Sequence, residues 1–135
     1  MKKVMYLFMA LCLYACTSNS ITSRIESDVV AYKNCANQAA FKDWLFSIGS
    51  EGTTIVEDGI TYGVFRTYDP TTSEVGLMIE IKDGVADYHR DDALDTLETQ
   101  IEEALKNQGI VKSVYTDFGR VLVRMKNENN FTNAD

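Results

Sequence analysis

The chain of 135 residues contains one histidine, one proline and three cysteines. It has no closely spaced ligand pair of the Cys-x-x-Cys or His-Glu-x-x-His kind, so we predict no metal site. It also lacks a glycine-rich phosphate-binding loop and a Gly-x-Ser-x-Gly elbow. Because no known catalytic pattern is present, the sequence favours a non-catalytic protein that has no cofactor.

Basic residues are scarce as well. The chain has 13 Lys and Arg against 20 Asp and Glu, which gives a formal net charge of −7. A chain this acidic gains nothing electrostatically from phosphate backbones, and no stretch interleaves basic with aromatic residues, so we expect no nucleic acid as a partner. The charge favours solubility or a basic protein partner instead.

No early apolar run is long enough to span a membrane. Lys2 and Lys3 are followed by the apolar run Val4–Tyr14, which has eleven residues. A membrane-spanning helix needs roughly 17–25. The cationic start and the short run therefore indicate a cleavable secretory leader. Leu13, however, is larger than the residue that an ordinary leader peptidase accepts three positions before its cut.

The end of this run, Leu13-Tyr14-Ala15-Cys16, resembles the lipobox of bacterial lipoproteins. The resemblance covers residues 1–16. It implies that the leader 1–15 is removed and that Cys16 carries a diacylglycerol and an acylated amino group, with fatty acids such as palmitate. Thr17 is not the Asp that retains such proteins at the inner membrane, so the resemblance implies the outer membrane, facing the periplasm. The alternatives are an uncleaved anchor and a soluble secreted protein.

The rest of the chain is long enough for one compact domain. Without the leader, 120 residues remain, with a net charge of −9. We predict a lipidated cysteine and tether over 16–22, a single domain over 23–126 and a flexible tail over 127–135. The six tether residues, Thr17–Thr22, span at most ~20 Å, which would hold the domain close to the membrane.

Two amphipathic helices are predicted from apolar residues at three- and four-residue spacing. The first begins at the capping box Ser23-Arg24-Ile25-Glu26 and runs for about 25 residues to Gly49. The second is capped by Asp91 or Asp92 and ends at Gly109. Their core positions are Ile25, Val29, Tyr32, Ala36, Ala39, Phe41, Trp44, Leu45 and Ile48 in the first, and Leu94, Leu97, Ile101, Ala104, Leu105 and Gln108 in the second.

Between and after the helices the apolar period changes to two, which is typical of strands. The strands predicted with most support are Thr53–Glu57 and Ile60–Tyr68 around an Asp-Gly turn, a strand whose buried side is Val75, Leu77, Ile79 and Ile81, and a last hairpin of Val111–Tyr115 and Val121–Met125. A fourth short strand is possible over Val85–His89. The predicted fold class is α+β, two amphipathic helices packed on one antiparallel β-sheet in the order α-β-β-β-(β)-α-β-β.

The second helix carries a line of acidic residues. Asp91, Asp95, Glu98 and Glu102 follow one another at steps of four, three and four residues, so they share one side of the helix. A solvated face is the ordinary explanation for such a line. The alternative is a docking surface for a basic partner, and we call these four residues the acidic ridge.

Two single residues remain as candidates for chemistry. His89 lies among Asp87, Arg90 and Asp91, where it can pair with a carboxylate or act as a base. Cys35 has no internal partner if Cys16 is lipidated, and we expect it to be a small buried thiol. An intermolecular disulfide is the alternative.

Together these features predict a lipid-anchored, non-catalytic binding module of the bacterial cell envelope that recognises a protein partner. A narrower hypothesis is an immunity or inhibitor lipoprotein that neutralises a toxin or lytic enzyme through the acidic ridge. In that case, reversing Glu98 and Glu102 to Lys would abolish protection. The alternative from another class is a small envelope enzyme that uses His89 with Asp87 or Asp91.

Overall fold

A computed structural model describes residues 20–127. It confirms the α+β class, with three α-helices and a five-stranded antiparallel sheet. None of the helices in this part of the chain is long and apolar enough to cross a membrane. The helices are α1 (Ile21–Lys33), α2 (Gln38–Phe46) and α3 (Arg90–Leu105), and a short 3-10 turn, Asp87–His89, precedes α3.

The strands do not lie in chain order. Their bounds are β1 Thr53–Glu57, β2 Ile60–Asp69, β3 Glu74–Asp83, β4 Val111–Asp117 and β5 Arg120–Met125, and their order across the sheet is β1-β2-β3-β5-β4. Helix α3 therefore connects β3 to the edge strand β4, and β5 returns between them. The basic residues Arg120 and Arg124 thus belong to an interior strand, not to a sheet edge.

The helices cover one face of the sheet. Leu77 and Ile79 of β3 pair with Val123 and Val121 of β5, and all four are fully buried. The predicted alternation of β3 is confirmed, because Val75, Leu77, Ile79 and Ile81 are all buried. Helices α1 and α3 add the residues that complete this core, which are Ile21, Ile25, Val29, Tyr32, Leu94, Leu97, Ile101 and Leu105.

The prediction of a single first helix is wrong, because helical structure is interrupted at residues 34–37. Asn37 starts α2 as its cap, with its side-chain oxygen accepting from the Ala40 N–H at 2.9 Å. Ala36 and Ala39, predicted as core, are exposed. The start is also earlier than predicted: Ser20 caps α1, so Ser23 lies inside the helix.

The predicted hairpin around Asp58-Gly59 is confirmed, since β1 and β2 pair from Glu57 and Ile60 onwards. A tight backbone contact lies beside it. Gly84, which follows β3, has φ +93°, and a Cβ there would lie 2.2 Å from the Gly59 carbonyl oxygen. Only glycine fits this position, and it holds the end of β3 against the hairpin.

Two local predictions near α3 are wrong. The possible strand Val85–His89 is irregular chain followed by the 3-10 turn. Neither Asp91 nor Asp92 caps α3, which starts at Arg90 after His89, and no side chain makes the capping hydrogen bond. Both aspartates instead lie in the first helical turn, where the helix dipole favours negative charge.

A buried ionic cluster joins α1 and α2 to β2. Asp28 Oδ1 accepts from Arg66 Nη2 at 3.1 Å and from Arg24 Nε at 3.2 Å, and the Arg66 and Asp28 side chains are only 7% and 5% exposed. The Arg66 guanidinium also lies over the Trp44 ring, 4.9 Å from its centroid, and donates to the Trp44 carbonyl and the Ser47 hydroxyl. One cation therefore fixes the positions of two helices.

The polar groups of this cluster are only partly satisfied. Asp28 Oδ2 and Arg66 Nε have no hydrogen-bond partner among the described residues. The Trp44 indole N–H donates to the Asp28 carbonyl at 3.2 Å, and Tyr32 and Phe41 pack against the Trp44 ring. The cluster thus combines aromatic packing with an ion pair whose desolvation is expensive.

Candidate functional site: the acidic side of helix α3

The acidic ridge lies on the side of α3 that faces the edge strand β4. The core positions Leu94, Leu97, Ile101 and Leu105 point into the sheet, and the ridge follows one flank of this apolar stripe. Between its first and last members the helix rises by about 16 Å. The structure therefore brings all four predicted carboxylates onto one surface.

The four residues differ in their surroundings. Asp91, Asp95 and Glu102 are exposed, whereas Glu98 is half-buried. The Thr116 hydroxyl of β4 donates to Glu98 Oε1 at 2.6 Å. Glu98 therefore links α3 to the edge strand, and the other three carboxylates remain available to solvent.

No cation of the described chain neutralises the ridge. Among residues 20–127, the ion pairs that the basic residues form are with carboxylates elsewhere: Arg24 and Arg66 with Asp28, Arg90 with Asp87, Lys106 with Glu103, and Arg124 with Glu74. Like charges at three- and four-residue spacing repel each other by a few tenths of a kcal/mol per pair. The ridge is thus a negative surface without ion-pair partners among the described residues, and the fold tolerates it at low cost.

The opposite flank of α3 borders a second acidic region. A groove of about 540 Å³ lies between the start of α1 and α3, lined by Thr22, Glu57, Thr99, Gln100, Glu103 and Ala104. Glu57 Oε1 accepts from the Ile21 N–H at 2.9 Å and so completes the start of α1. In a neighbouring groove, the pKa of the Tyr62 phenol is raised by burial and by the carboxylates of Glu57 and Asp58.

His89 lies at the junction between the 3-10 turn and α3, where it is exposed. Its ring lies against that of Tyr88, with centroids 4.3 Å apart. The neighbouring Asp87 carboxylate is directed to Arg90, 3.7 Å away, and no ion pair joins His89 to Asp87 or Asp91 among the described residues. The structure therefore does not bring together the His–Asp pairs that the enzyme hypothesis needs.

Of the two cysteines of interest, the structure describes Cys35. Cys35 is buried, as predicted, and forms no disulfide within residues 20–127; its thiol lies 3.4 Å from the Ala31 carbonyl oxygen. Burial raises the pKa of this thiol, an effect that the charge of Arg66 partly offsets. A buried thiol with a raised pKa carries less of the thiolate, which is the nucleophilic form, at neutral pH. Cys16 lies outside the described residues.

The carboxylates of residues 20–127 do not cluster as metal ligands would. This part of the chain contains no group of three or more His, Cys, Asp or Glu side chains that could hold a metal ion. The acidic ridge carries its carboxylates along a helix rather than around a point, which is unsuitable for coordination.

Sequence reasoning missed two features of the chain. The first is the Asp28–Arg66 pair, for which the only local signal was the four-residue spacing of Arg24 and Asp28. The second is a pair of very exposed aromatics, Tyr88 and Phe118. Phe118 lies at an Asp-Phe-Gly turn, which predicts exposure, but nothing local predicts that Tyr88 would lie at the same end of the molecule.

No protein-family model matches this chain, and neither the curated proteins nor the solved structures compared with it gave a match.

Proposed function

We propose that the chain is a lipid-anchored, non-catalytic domain of the bacterial cell envelope that binds a basic protein partner through the acidic ridge. Cys16 would carry the lipid, and the outer membrane, on its periplasmic side, is the proposed location. The observation that carries the binding role is the uncompensated charge of Asp91, Asp95 and Glu102 on one rigid helix. Surfaces of this kind accelerate and orient the approach of a cationic partner.

Rigidity supports the proposal. Helix α3 is held by four buried apolar residues, and the bond from Thr116 to Glu98 fixes the ridge against β4. A partner would meet charges already in place, so little conformational entropy would be lost on binding. An immunity or inhibitor protein, in which the ridge occupies the basic cleft of a toxin or lytic enzyme, is the narrower form of the same proposal.

The test is partner capture with a charge-matched control. The lipidated protein carrying Asp95→Lys and Glu102→Lys is compared with one carrying Glu26→Lys and Asp43→Lys, which are exposed carboxylates on α1 and α2. Both double variants change the net charge by the same amount. We expect crosslinked envelope extracts to yield a specific protein with the wild type and the control, and at least tenfold less of it with the ridge variant.

Glu98 is left unchanged in this test because replacing it would also remove its hydrogen bond to Thr116. A loss of stability could then be mistaken for a loss of binding. Equal capture by the two double variants, or no specific protein with the wild type, would contradict the proposal. The enzyme alternative has its own test: a His89→Ala variant that retains the full cellular phenotype would dispose of it.

A further inference from the structure

The chain enters the folded domain at one particular end of the sheet. The Ile21 N–H is hydrogen-bonded to Glu57, the last residue of β1. Because the sheet is antiparallel, β3 and β4 also end on this side, at Asp83 and Asp117. We call this side, with the turns that follow these strands, the entry end. Cys16 is four residues from Ser20, so an extended chain would place the proposed lipid at most about 14 Å from Ser20.

The entry end carries the two most exposed large hydrophobic side chains of the described chain. Phe118, in the turn between β4 and β5, is 87% exposed, and Tyr88, in the 3-10 turn after β3, is 82% exposed. Arg90 Nη1 donates to the Ile81 carbonyl at 2.8 Å, which holds the second turn near the end of β3. Because β3 pairs directly with β5, both turns lie at the same end of the sheet.

The two turns share a local sequence pattern. Asp87-Tyr88-His89-Arg90 and Asp117-Phe118-Gly119-Arg120 each place an Asp before the aromatic residue and an Arg two positions after it. In the sequence, each aromatic residue thus follows an acidic residue and lies two positions before a basic one. A zwitterionic phospholipid offers the complementary pair, an ammonium and a phosphate, and aromatic rings prefer the headgroup level of a bilayer.

We propose that the entry end rests on a zwitterionic phospholipid surface, with Phe118 and Tyr88 inserted at the headgroup level. This inference rests on the proposed lipid anchor, because two aromatic side chains alone give only weak membrane affinity. Asp58 and Asp83 lie at the same end, so an anionic surface would repel it. The contact would therefore be weakened by anionic lipid, whereas the polybasic docking found in many anchored proteins is strengthened by it.

The experiment measures the depth of single positions in vesicles. Lipidated protein is reconstituted into vesicles of phosphatidylethanolamine and phosphatidylcholine that contain lipids with a nitroxide near the headgroup. Phe118→Trp and Tyr88→Trp are compared with the control Phe46→Trp, whose side chain is 68% exposed at the end of α2. The unsubstituted protein supplies the background from the buried Trp44.

We expect headgroup quenching to be at least threefold stronger at positions 118 and 88 than at position 46. Replacing a third of the lipid with phosphatidylglycerol should reduce the quenching at position 118. Equal quenching at all three positions, stronger quenching at position 46, or an increase with phosphatidylglycerol would overturn the inference.

The failure of this inference can be told from the failure of the proposed function. If the protein is not lipidated, it will not float with vesicles and its mass will show no acyl chains, and both proposals fall. If it floats but shows no difference between positions 118 and 46, the anchor stands and only the docking of the entry end is wrong.

Discussion

Carboxylates occupy two contrasting environments in this domain. Asp28 is buried beneath α2, where two arginines share one of its oxygens. On the acidic ridge, Asp91, Asp95 and Glu102 are exposed, and no cation among the described residues forms an ion pair with them. Both sets are acidic residues of helices, but only Asp28 forms ion pairs among the described residues.

The difference separates what the fold requires from what it tolerates. A buried charge is expensive to desolvate, and removing one partner leaves the other without compensation. An exposed carboxylate costs a few tenths of a kcal/mol at most, so its identity has little effect on stability. The Asp28 cluster is therefore expected to control folding, whereas the ridge remains available for binding.

The largest expected effect is at the buried pair. Asp28→Ala leaves Arg66 buried without its carboxylate, and we expect a loss of about 3–5 kcal/mol in the free energy of unfolding. Urea denaturation followed by far-ultraviolet circular dichroism measures this loss. The matched control is Asp95→Ala on the ridge, which should change the same quantity by less than about 0.5 kcal/mol.

A double variant refines this prediction. In Asp28→Leu with Arg66→Met, both charges are replaced by apolar groups, so the unsatisfied Asp28 Oδ2 and Arg66 Nε disappear together. The loss should then be smaller than for Asp28→Ala alone. A loss below about 1 kcal/mol for Asp28→Ala itself would show that the cluster does not hold the fold as described.

A smaller effect is expected from alkaline pH. The pKa values of the Cys35 thiol and the Tyr62 phenol are raised in the folded state, chiefly by burial. The unfolded chain therefore releases these protons first, from about pH 8.5 for the thiol and about pH 10 for the phenol. Stability should be complete below these values and should fall as the pH rises through them.

The phenol can be isolated by comparison with Tyr62→Phe. Because this variant has no proton to lose at position 62, its free energy of unfolding should fall less steeply than that of the wild type above about pH 10. Parallel curves for the two proteins between about pH 9 and 11 would contradict the assignment to Tyr62.

The smallest effect is expected on the ridge. Asp95→Lys with Glu102→Lys removes repulsion along the helix and adds attraction to Asp91 and Glu98, so stability should rise by a few tenths of a kcal/mol. Urea denaturation in low and high salt would show this gain shrinking as salt screens the charges. A destabilisation of more than about 1 kcal/mol would mean that the ridge belongs to the fold, which would remove the contrast with Asp28.

The strands were predictable because they are local patterns. Alternation in β3 and the Asp-Gly turn of the first hairpin depend on neighbouring residues, and both predictions are confirmed. The order of the strands was not predictable, because the position of β5 between β3 and β4 depends on contacts between residues far apart in the chain.

The helices show where spacing misleads. Apolar residues continue at three- and four-residue steps across residues 34–37, so the pattern alone predicts one helix where Asn37 begins a second. The capping asparagine was the only local signal of the break. Similarly, the spacing of the ridge predicts a shared side of α3, but the bond between Glu98 and Thr116 depends on the tertiary placement of β4.

The burial of Asp28 could not be predicted from the sequence for a different reason. Asp28 lies between the core residues Ile25 and Tyr32, but an aspartate in a helix is ordinarily assigned to solvent. Its burial depends on the ion pair with Arg66 of β2, which is 38 residues away in sequence. No periodicity within α1 contains that information.

The measurement that tests the central claim most directly is the intact mass of the protein extracted from bacterial membranes, together with its amino-terminal peptide. The claim is that Cys16 anchors the domain at a membrane and leaves the acidic ridge free for a partner. We predict the mass of residues 16–135 plus a diacylglycerol and one further acyl chain. A cleaved product without lipid, recovered from the soluble fraction, would contradict the anchor and the placement of the domain that depends on it.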